Sequence, residues 1–317
     1  MPNSFPKRKK DENQEVKTKS KEQKAENEAH LHELWRYIME DKRIISAALT
    51  GNWGDKSTNP AIPMTPEEMA EDAYQCWKAG AAVVHLHMRD EEGRPTMRTD
   101  LFEKTIKLIR ERCDVIINIT SSGGHSLDGM AADETRMLPF RTLKPEMGSY
   151  DCGTLNWLHK TVFENNPQFL ENLGKLYQET GTKPEIEIFD VGMLDNAKYY
   201  MKTGVLKAPC HFQFIMGAPG GMAGTVENLV YLHSQLPEGS TWSASGLSKA
   251  HIPVMLTALA LGGHIRVGLE DNVYYSHGVL AKSNSQLVQR AAEIIRAAGF
   301  GIATPDEARK ILGIKNA

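Results

Sequence analysis

TGNWGDKSTNPAIPMTP, residues 50–66, follows the apolar run IISAAL (44–49) and leads into a helical pattern. This connection decides the fold class. In an open, doubly wound α/β sheet the first strand-to-helix turn is tight and carries GxGxxG, so that a pyrophosphate can sit on the helix N-terminus. Here the turn is long, contains Pro60 and Pro63, and lacks that fingerprint. It ends in TPEE (65–68), with Thr65 as N-cap, Pro66 at N1 and Glu68 at N3, which is a capping box.

Outward from this loop the chain alternates. IISAAL (44–49), AAVVHLH (81–87), VIINIT (115–120), EMGSYD (146–151), EIEIFD (185–190), HFQFIMG (211–217), STWSASG (240–246) and HIRVGLE (264–270) read as short strands. Helical patterns separate them: Met69, Ala73 and Trp77 share one face, as do Phe102, Ile106 and Ile109. TPDE (304–307) repeats the capping signal for a short C-terminal helix. Eight strand–helix repeats predict an α/β protein, a parallel (β/α)₈ TIM barrel, with the doubly wound sheet as its main rival. The barrel is expected over 34–317. Residues 1–33 form a Lys/Glu-rich, charged N-terminal extension with almost nothing to bury, expected to be disordered or a solvated helix.

A net charge of −3 in a chain of 317 residues gives no electrostatic basis for nucleic-acid or membrane partners. The longest apolar stretch, around Val254–Leu261, is too short to cross a bilayer, and no secretory signal is visible. Four cysteines lie far apart with no CxxC pair, which suits reduced thiols in a cytoplasmic protein.

Strand parity locates a site. Successive side chains of a strand alternate faces. His85 and His87 then oppose Val84 and Leu86; Asn118 and Thr120 oppose Ile117 and Ile119; Glu185 and Glu187 oppose Ile186 and Ile188. Likewise His211 and Gln213 oppose Phe212 and Phe214, and Arg266 and Glu270 oppose Ile265 and Val267. The apolar sets belong against the helices, so the polar sets line the lumen. Ionisable groups there are costly unless paired or bound to a metal.

His85 and His87 stand at the C-terminal end of the second strand, the catalytic end of such barrels. Two imidazoles with a carboxylate and an open position suit a catalytic Zn²⁺. Glu270, with Asp271 beside it, is the expected third ligand, and Glu187 competes for that place. NITSSGGH (118–125) offers Ser121, Ser122 and backbone N–H groups to a carboxylate or oxyanion. MGAPGG (216–221) would let a phosphate or thioester arm approach backbone, and GTLNW (153–157) puts Thr154 and Asn156 at the mouth.

The ordered set TG, HLHxRD, NITSSGG, GTLN, PEIEIFD and RVGLED resembles the β-keto acid cleavage enzyme family, from about residue 44 to 300. The resemblance implies a zinc-dependent, usually oligomeric (β/α)₈ barrel, here a homo-oligomer (dimer or tetramer). It also implies the reaction: a β-keto acid and acetyl-CoA give acetoacetate and the shortened acyl-CoA. By motif, His85, His87 and Glu270 would hold the zinc, and Asp271 would be the general base, supported by Arg266 and Ser121. Ser121, Ser122, Gly124, Thr154, Asn156 and Glu187 would position substrate, with Glu185 the alternative to Glu187. The family's enzyme for an amino-substituted keto acid has an acidic residue just after TG-x; this chain has Trp53 there, preceded by Asn52, with Asp55 nearby. An indole suits an apolar tail or a quaternary ammonium.

Two rival readings remain. A metal-dependent hydrolase on the same fold would also use His-x-His, but from the first strand and with further histidines, of which only His211 is on offer here. A non-catalytic metal-binding barrel would leave the polar loops after strands 3, 4, 6 and 8 without a purpose. Lys249, after the seventh strand, is a further candidate for the phosphates of CoA, against the reading of an ordinary surface lysine.

Overall fold

Eight short parallel strands close on themselves in chain order: β1 (Ile45–Ala48), β2 (Val83–Leu86), β3 (Ile116–Ile119), β4 (Met147–Asp151), β5 (Lys183–Ile188), β6 (His211–Met216), β7 (Thr241–Gly246) and β8 (His264–Val267). The expected (β/α)₈ barrel is thus present in a computed structural model that describes residues 41–126 and 128–314. The charged extension expected at 1–33 lies outside the described residues.

Helices fill the connections: α1 (Pro66–Ala79), α2 (Thr99–Arg110), α3 (Asp133–Leu143), α4 (Pro167–Thr180), α5 (Val191–Lys202), α6 (Val226–Ser234), α7 (His251–Ala260), α8 (Asn284–Ala297) and α9 (Pro305–Leu312). The capping boxes form at both sites read from sequence. Glu68 N donates to Thr65 Oγ1 at 3.2 Å while the Glu68 carboxylate accepts from Thr65 N at 3.3 Å, and Thr304 with Glu307 repeats the exchange. Among the described residues no helix is long and apolar enough to cross a membrane.

The apolar strand faces, including Leu86, Ile119, Ile186, Phe212 and Phe214, pack outward against the helices in the main core. Each such side chain taken fully from water contributes roughly 1.5–3 kcal/mol. A second cluster of Ile44, Val83, Ile116 and Met147 packs with Ala308 and Leu312 of α9 and floors the barrel. Above that floor the lumen is polar. The ladder sets Glu185 between Ser149 and His211, and Glu187 between Asp151 and Gln213.

The strands are shorter than their sequence runs. His87 stands one residue beyond β2, and Glu270 lies in the turn after β8.

The 50–66 connection is ordered by its own polar groups. Thr50 Oγ1 donates to the Pro63 carbonyl at 2.9 Å, and Asn59 Nδ2 donates to Val273 and Ala281 carbonyls at 3.0 and 2.9 Å. From below, Arg89 Nη2 donates to the carbonyls of Gly51 and Gly54 at 2.7 and 2.8 Å. Gly51 has φ +66°, and a Cβ there would come within 2.7 Å of Glu270 Cγ. The glycine is required both by the backbone and by the carboxylate seated against it.

Candidate active site

His85 is held in the ladder between Ala48 and Asn118, with its ring in the lumen. His87 follows where the chain leaves the barrel. Their Nε2 atoms face each other at 3.0 Å, and Glu270 Oε1 stands 3.7 Å from one and 3.4 Å from the other. Ligand atoms about 2.0–2.1 Å from a tetrahedral metal stand roughly 3.3 Å from one another, so these three match one face of such a shell.

Second contacts set their protonation. Asn52 Nδ2 donates to Ser122 Oγ at 2.9 Å, which turns its Oδ1 toward His87 Nδ1 at 2.8 Å. His87 then carries its proton on Nδ1 and presents a lone pair on Nε2. Burial, helped by Arg266 and His87 against the opposing Glu270, drives the His85 imidazole well below its ordinary pKa and keeps it neutral. Burial opposes ionisation of Glu270, yet His87, His85 and Arg266 outweigh it and hold the carboxyl well below its usual range. Its Oε2 is buried with no hydrogen-bond partner among the described residues. Facing imidazole nitrogens beside an ionised carboxylate with an orphaned oxygen fit a divalent cation.

His85 also approaches Glu185 and Glu187 as a second possible ligand group. Those carboxyls are otherwise engaged. Asn118 Nδ2 donates to Glu185 at 2.7 Å, Ser149 Oγ donates to Glu187 at 2.8 Å, and Arg266 Nη1 lies 3.6 Å from each. Burial, then the neighbouring Glu187, pushes Glu185 up to about 8. The pair of histidines with Glu270 is the better donor set.

Arg266 organises the mouth. Its Nε and Nη2 donate to the two oxygens of Asp271 at 3.0 and 3.1 Å, and Nη2 reaches Glu270 Oε1 at 2.8 Å. Ser245 Oγ adds a third donor to Asp271 at 2.6 Å. Burial works against the guanidinium's charge, but Asp271, Glu270, Glu187 and Glu185 hold its pKa well above the ordinary value.

These groups floor a cavity of about 210 Å³, lined by His85, His87, Glu187, Arg266, Glu270 and Asp271. Its walls are aromatic. Trp53 stacks on Trp157 with centroids 6.1 Å apart and meets the edge of His125 at 5.4 Å; Trp157 meets Phe189 at 5.8 Å.

Asn52, Trp53 and Ser122 line this cavity with the ligand set and Asp271. Of the two strand-5 carboxylates, Glu187 lines it and Glu185 lies beneath. Ser121 is behind the wall: its hydroxyl pairs with Asp151 Oδ2 at 3.4 Å and its carbonyl accepts from Arg136. Gly124 packs against the Pro95–Thr96 backbone, outside the lining. Thr154 and Asn156 are exposed, and Thr154 Oγ1 instead accepts from Asn165 N. His211 binds the hydroxyls of Thr241 and Ser243 at the start of β6, so both its nitrogens are spent far below the mouth. Lys249 is exposed beside a separate cavity.

Sequence reasoning missed Asp151, Trp157, Phe163, Phe189 and His125, which all line the cavity. Asp151 was readable by parity, since EMGSYD alternates Ser149 and Asp151 against Tyr150. Burial, then Glu187, raises this carboxyl well above its ordinary range. Trp157 and Phe163 arrive from a hairpin (Leu155–Trp157 with Thr161–Phe163) that carried no strand signal, Phe189 directly follows β5, and His125 lies in the loop after β3.

The family described as BKACE, beta-keto acid cleavage enzyme, matches residues 42–314. The chain belongs to this family. It is 44% identical to a 3-keto-5-aminohexanoate cleavage enzyme of Fusobacterium nucleatum subsp. nucleatum, over 87% of this chain and 100% of that one. It is 35% identical to a 3-oxoadipate:acetyl-CoA acetyltransferase of Cupriavidus necator, over 86% of this chain and 94% of the relative. Among solved structures, the ternary complex of ObcA with C4-CoA adduct and oxalate shares the fold, with a TM-score of 0.71 and 21% identity over 80% of this chain and 68% of that one. The resemblance read from HLHxRD and RVGLED is therefore borne out, and the chain is an enzyme of the acyltransferase kind that the β-keto acid cleavage family comprises.

Proposed function

We propose that this enzyme condenses a β-keto acid with acetyl-CoA at a zinc-dependent site and releases acetoacetate and the shortened acyl-CoA. The observation that carries the reading is the convergence of His85, His87 and Glu270 beside the Asp271 carboxylate in one aromatic-walled cavity. Zinc held by those three residues would supply Lewis acidity toward the keto and carboxylate oxygens of the substrate.

Asp271 takes a proton from C2 of the keto acid. Arg266 and Ser245 fix that carboxylate, and Arg266 keeps its positive charge beside the reacting centre. The C2 carbanion attacks the thioester carbon of acetyl-CoA, and the C–S bond breaks to free CoA thiolate. The thiolate adds to the original keto carbon; the C2–C3 bond then breaks, leaving the acyl group on CoA. Its electron pair returns to C2, where a proton completes acetoacetate. Glu187 stands at the cavity floor to orient the substrate, with Asn52 and Ser122 beside His87. Trp53, Trp157 and Phe189 give the substrate's tail an aromatic box, which suits an apolar group or a quaternary ammonium.

Four free, buried cysteines support a cytoplasmic enzyme. Exposed Val226, Val230 and Tyr231 on α6 support a homo-oligomer.

Acetoacetate production from a panel of β-keto acids with acetyl-CoA, with and without a zinc chelator, tests the reading. Neutral, acidic, amino and trimethylammonium tails belong in the panel. Chelator-sensitive turnover, fastest with an apolar or trimethylammonium tail, is the expected result. No acetoacetate from any member, with zinc confirmed bound, would sink the condensation and bring the hydrolase forward.

A further inference from the structure

A second cavity, of about 540 Å³, opens on the same face of the barrel between the segment after β7 and the one after β8. Its wall includes Ser248, Lys249, His251, Asn272, Tyr274 and His277, and among the described residues no carboxylate lines it. The two cavities share their partition. Leu247 and Asp271 face the active site, while the next residues in each segment, Ser248 and Asn272, face the second cavity. Ser248 N reaches the Asp271 carbonyl at 3.5 Å, which joins the two segments across it.

Two cationic side chains, Lys249 and Arg290, give this cavity a positive character, while burial, with Arg290 nearby, brings the His251 imidazole down to about 4 and keeps it neutral. A 3₁₀ turn at Ser248–Ala250 runs straight into α7, and no side chain caps the start of either. Ser248 N, Ala250 N and His251 N are already given to the Asp271, Leu247 and Ser248 carbonyls. This start therefore adds little of the open N–H field that draws anions to a helix, and the side chains supply the attraction. His251 is 4% exposed, lines the cavity, and has an Nε2 atom with no hydrogen-bond partner among the described residues. Behind the wall, the Arg290 guanidinium lies 4.3 Å from the Tyr275 ring centre and donates to the Tyr275 carbonyl. Its Nε and Nη2 are buried without a hydrogen-bond partner among the described residues. Lys249 stands exposed at the rim. Loops after the seventh and eighth strands, with the N-terminus of a short helix, are a recurrent phosphate seat in barrels of this class.

We propose that this second cavity binds the phosphate groups of the CoA co-substrate, so that the acyl-bearing arm passes over Leu247 toward Asp271. The assignment of CoA as the ligand rests on the reaction proposed above; the anion preference of the cavity does not.

Calorimetric binding of CoA and of adenosine 3′,5′-bisphosphate to the full-length enzyme, at low salt, tests it. Lys249→Glu is the probing variant, at an exposed position where folding is not at stake. Lys207→Glu, an equal charge change on the loop leading into β6 at the opposite end, is the control. Wild type and the control should bind both compounds, and Lys249→Glu should weaken both by about tenfold or more, as expected for loss of a charge-assisted contact. Equal binding by Lys249→Glu and wild type, or no binding of the bisphosphate to wild type, overturns the assignment. Inorganic phosphate that binds as tightly as the bisphosphate also overturns it, in favour of a free-anion site. Turnover separates the two proposals. If CoA binding weakens in Lys249→Glu while no enzyme makes acetoacetate, the phosphate seat stands and the reaction fails. If acetoacetate forms but the KM for acetyl-CoA is the same in both enzymes, the reaction stands and the seat fails.

Discussion

Asn52 sets what His87 can do. Its amide is oriented by Ser122 and accepts from His87 Nδ1, so the opposite nitrogen stays free to ligate. Asn52→Ala should therefore weaken zinc binding about 10–100-fold, the usual cost of losing such an outer contact, as read by competition with a chromogenic chelator. Unchanged affinity would mean that His87 needs no help with its tautomer. Asp271→Asn makes the contrasting prediction: zinc content stays as in wild type while kcat falls by about 10²–10⁴-fold. Turnover within a factor of a few of wild type would remove Asp271 as the base. The ligands and Asp271 were legible because HLH and GLED put ligand-type side chains next to one another in the chain, whereas Asn52 was read as a substrate contact and its bond to His87 spans a separation of 35 in sequence. Thr154 and Asn156 stand outside the cavity lining because the segment after β4 turns into a hairpin, with Trp157 on the cavity side and those two exposed. No local period announces such a turn.

Between elements, Asn284 at the start of α8 is a splice. Its side chain donates to the Leu49 carbonyl at the end of β1 and to Asp72 of α1, and accepts from Leu269 N, one residue before Glu270. Burial pushes the Asp72 carboxyl up to about 7, against the Asn284 amide, which favours the ionised form. A carboxyl in the unfolded chain titrates near 4. Between about pH 4 and pH 7 the folded chain thus holds a proton that the unfolded chain has released. This group's contribution is fully present below pH 4 and is lost as pH rises to 7, by at most about 4 kcal/mol, less because the carboxyl keeps an edge in water. Asp72→Asn should narrow the difference in Tm between pH 5 and pH 8 and gain stability at the higher pH. A difference as wide as in wild type would refute the assignment. The helices and caps were readable from sequence, because TPEE and TPDE encode their own starts. This splice was not, since an asparagine reaching three elements leaves no pattern in any of them.

At the scale of the molecule, the barrel keeps its apolar surface outside the sheet and below the lumen, and gathers its charge at the mouth. Strand parity exposed this division because each strand carries it in full. Closure of the sheet was expected from the eight strand–helix repeats, whereas the hydroxyls of Thr241 and Ser243 that occupy both nitrogens of His211 needed the three-dimensional ladder. Such a mouth is linked to the stability of the whole. Stripping zinc from the holoenzyme should lower Tm by about 5–10 °C, the scale set by saturating a tight ligand in a large domain. Equal Tm with and without chelator would argue that no metal is bound at all. The 50–66 loop has a different bearing. Arg89 grips its backbone carbonyls, not its side chains, and Gly51 is the residue locked against Glu270. Position 53 can therefore be rewritten while the reacting groups stay as they are. On the proposed reading, in which Trp53 meets the substrate's tail, substitutions at position 53 should change which tail is accepted and leave the chemistry in place, a freedom open to a lineage or an engineer alike.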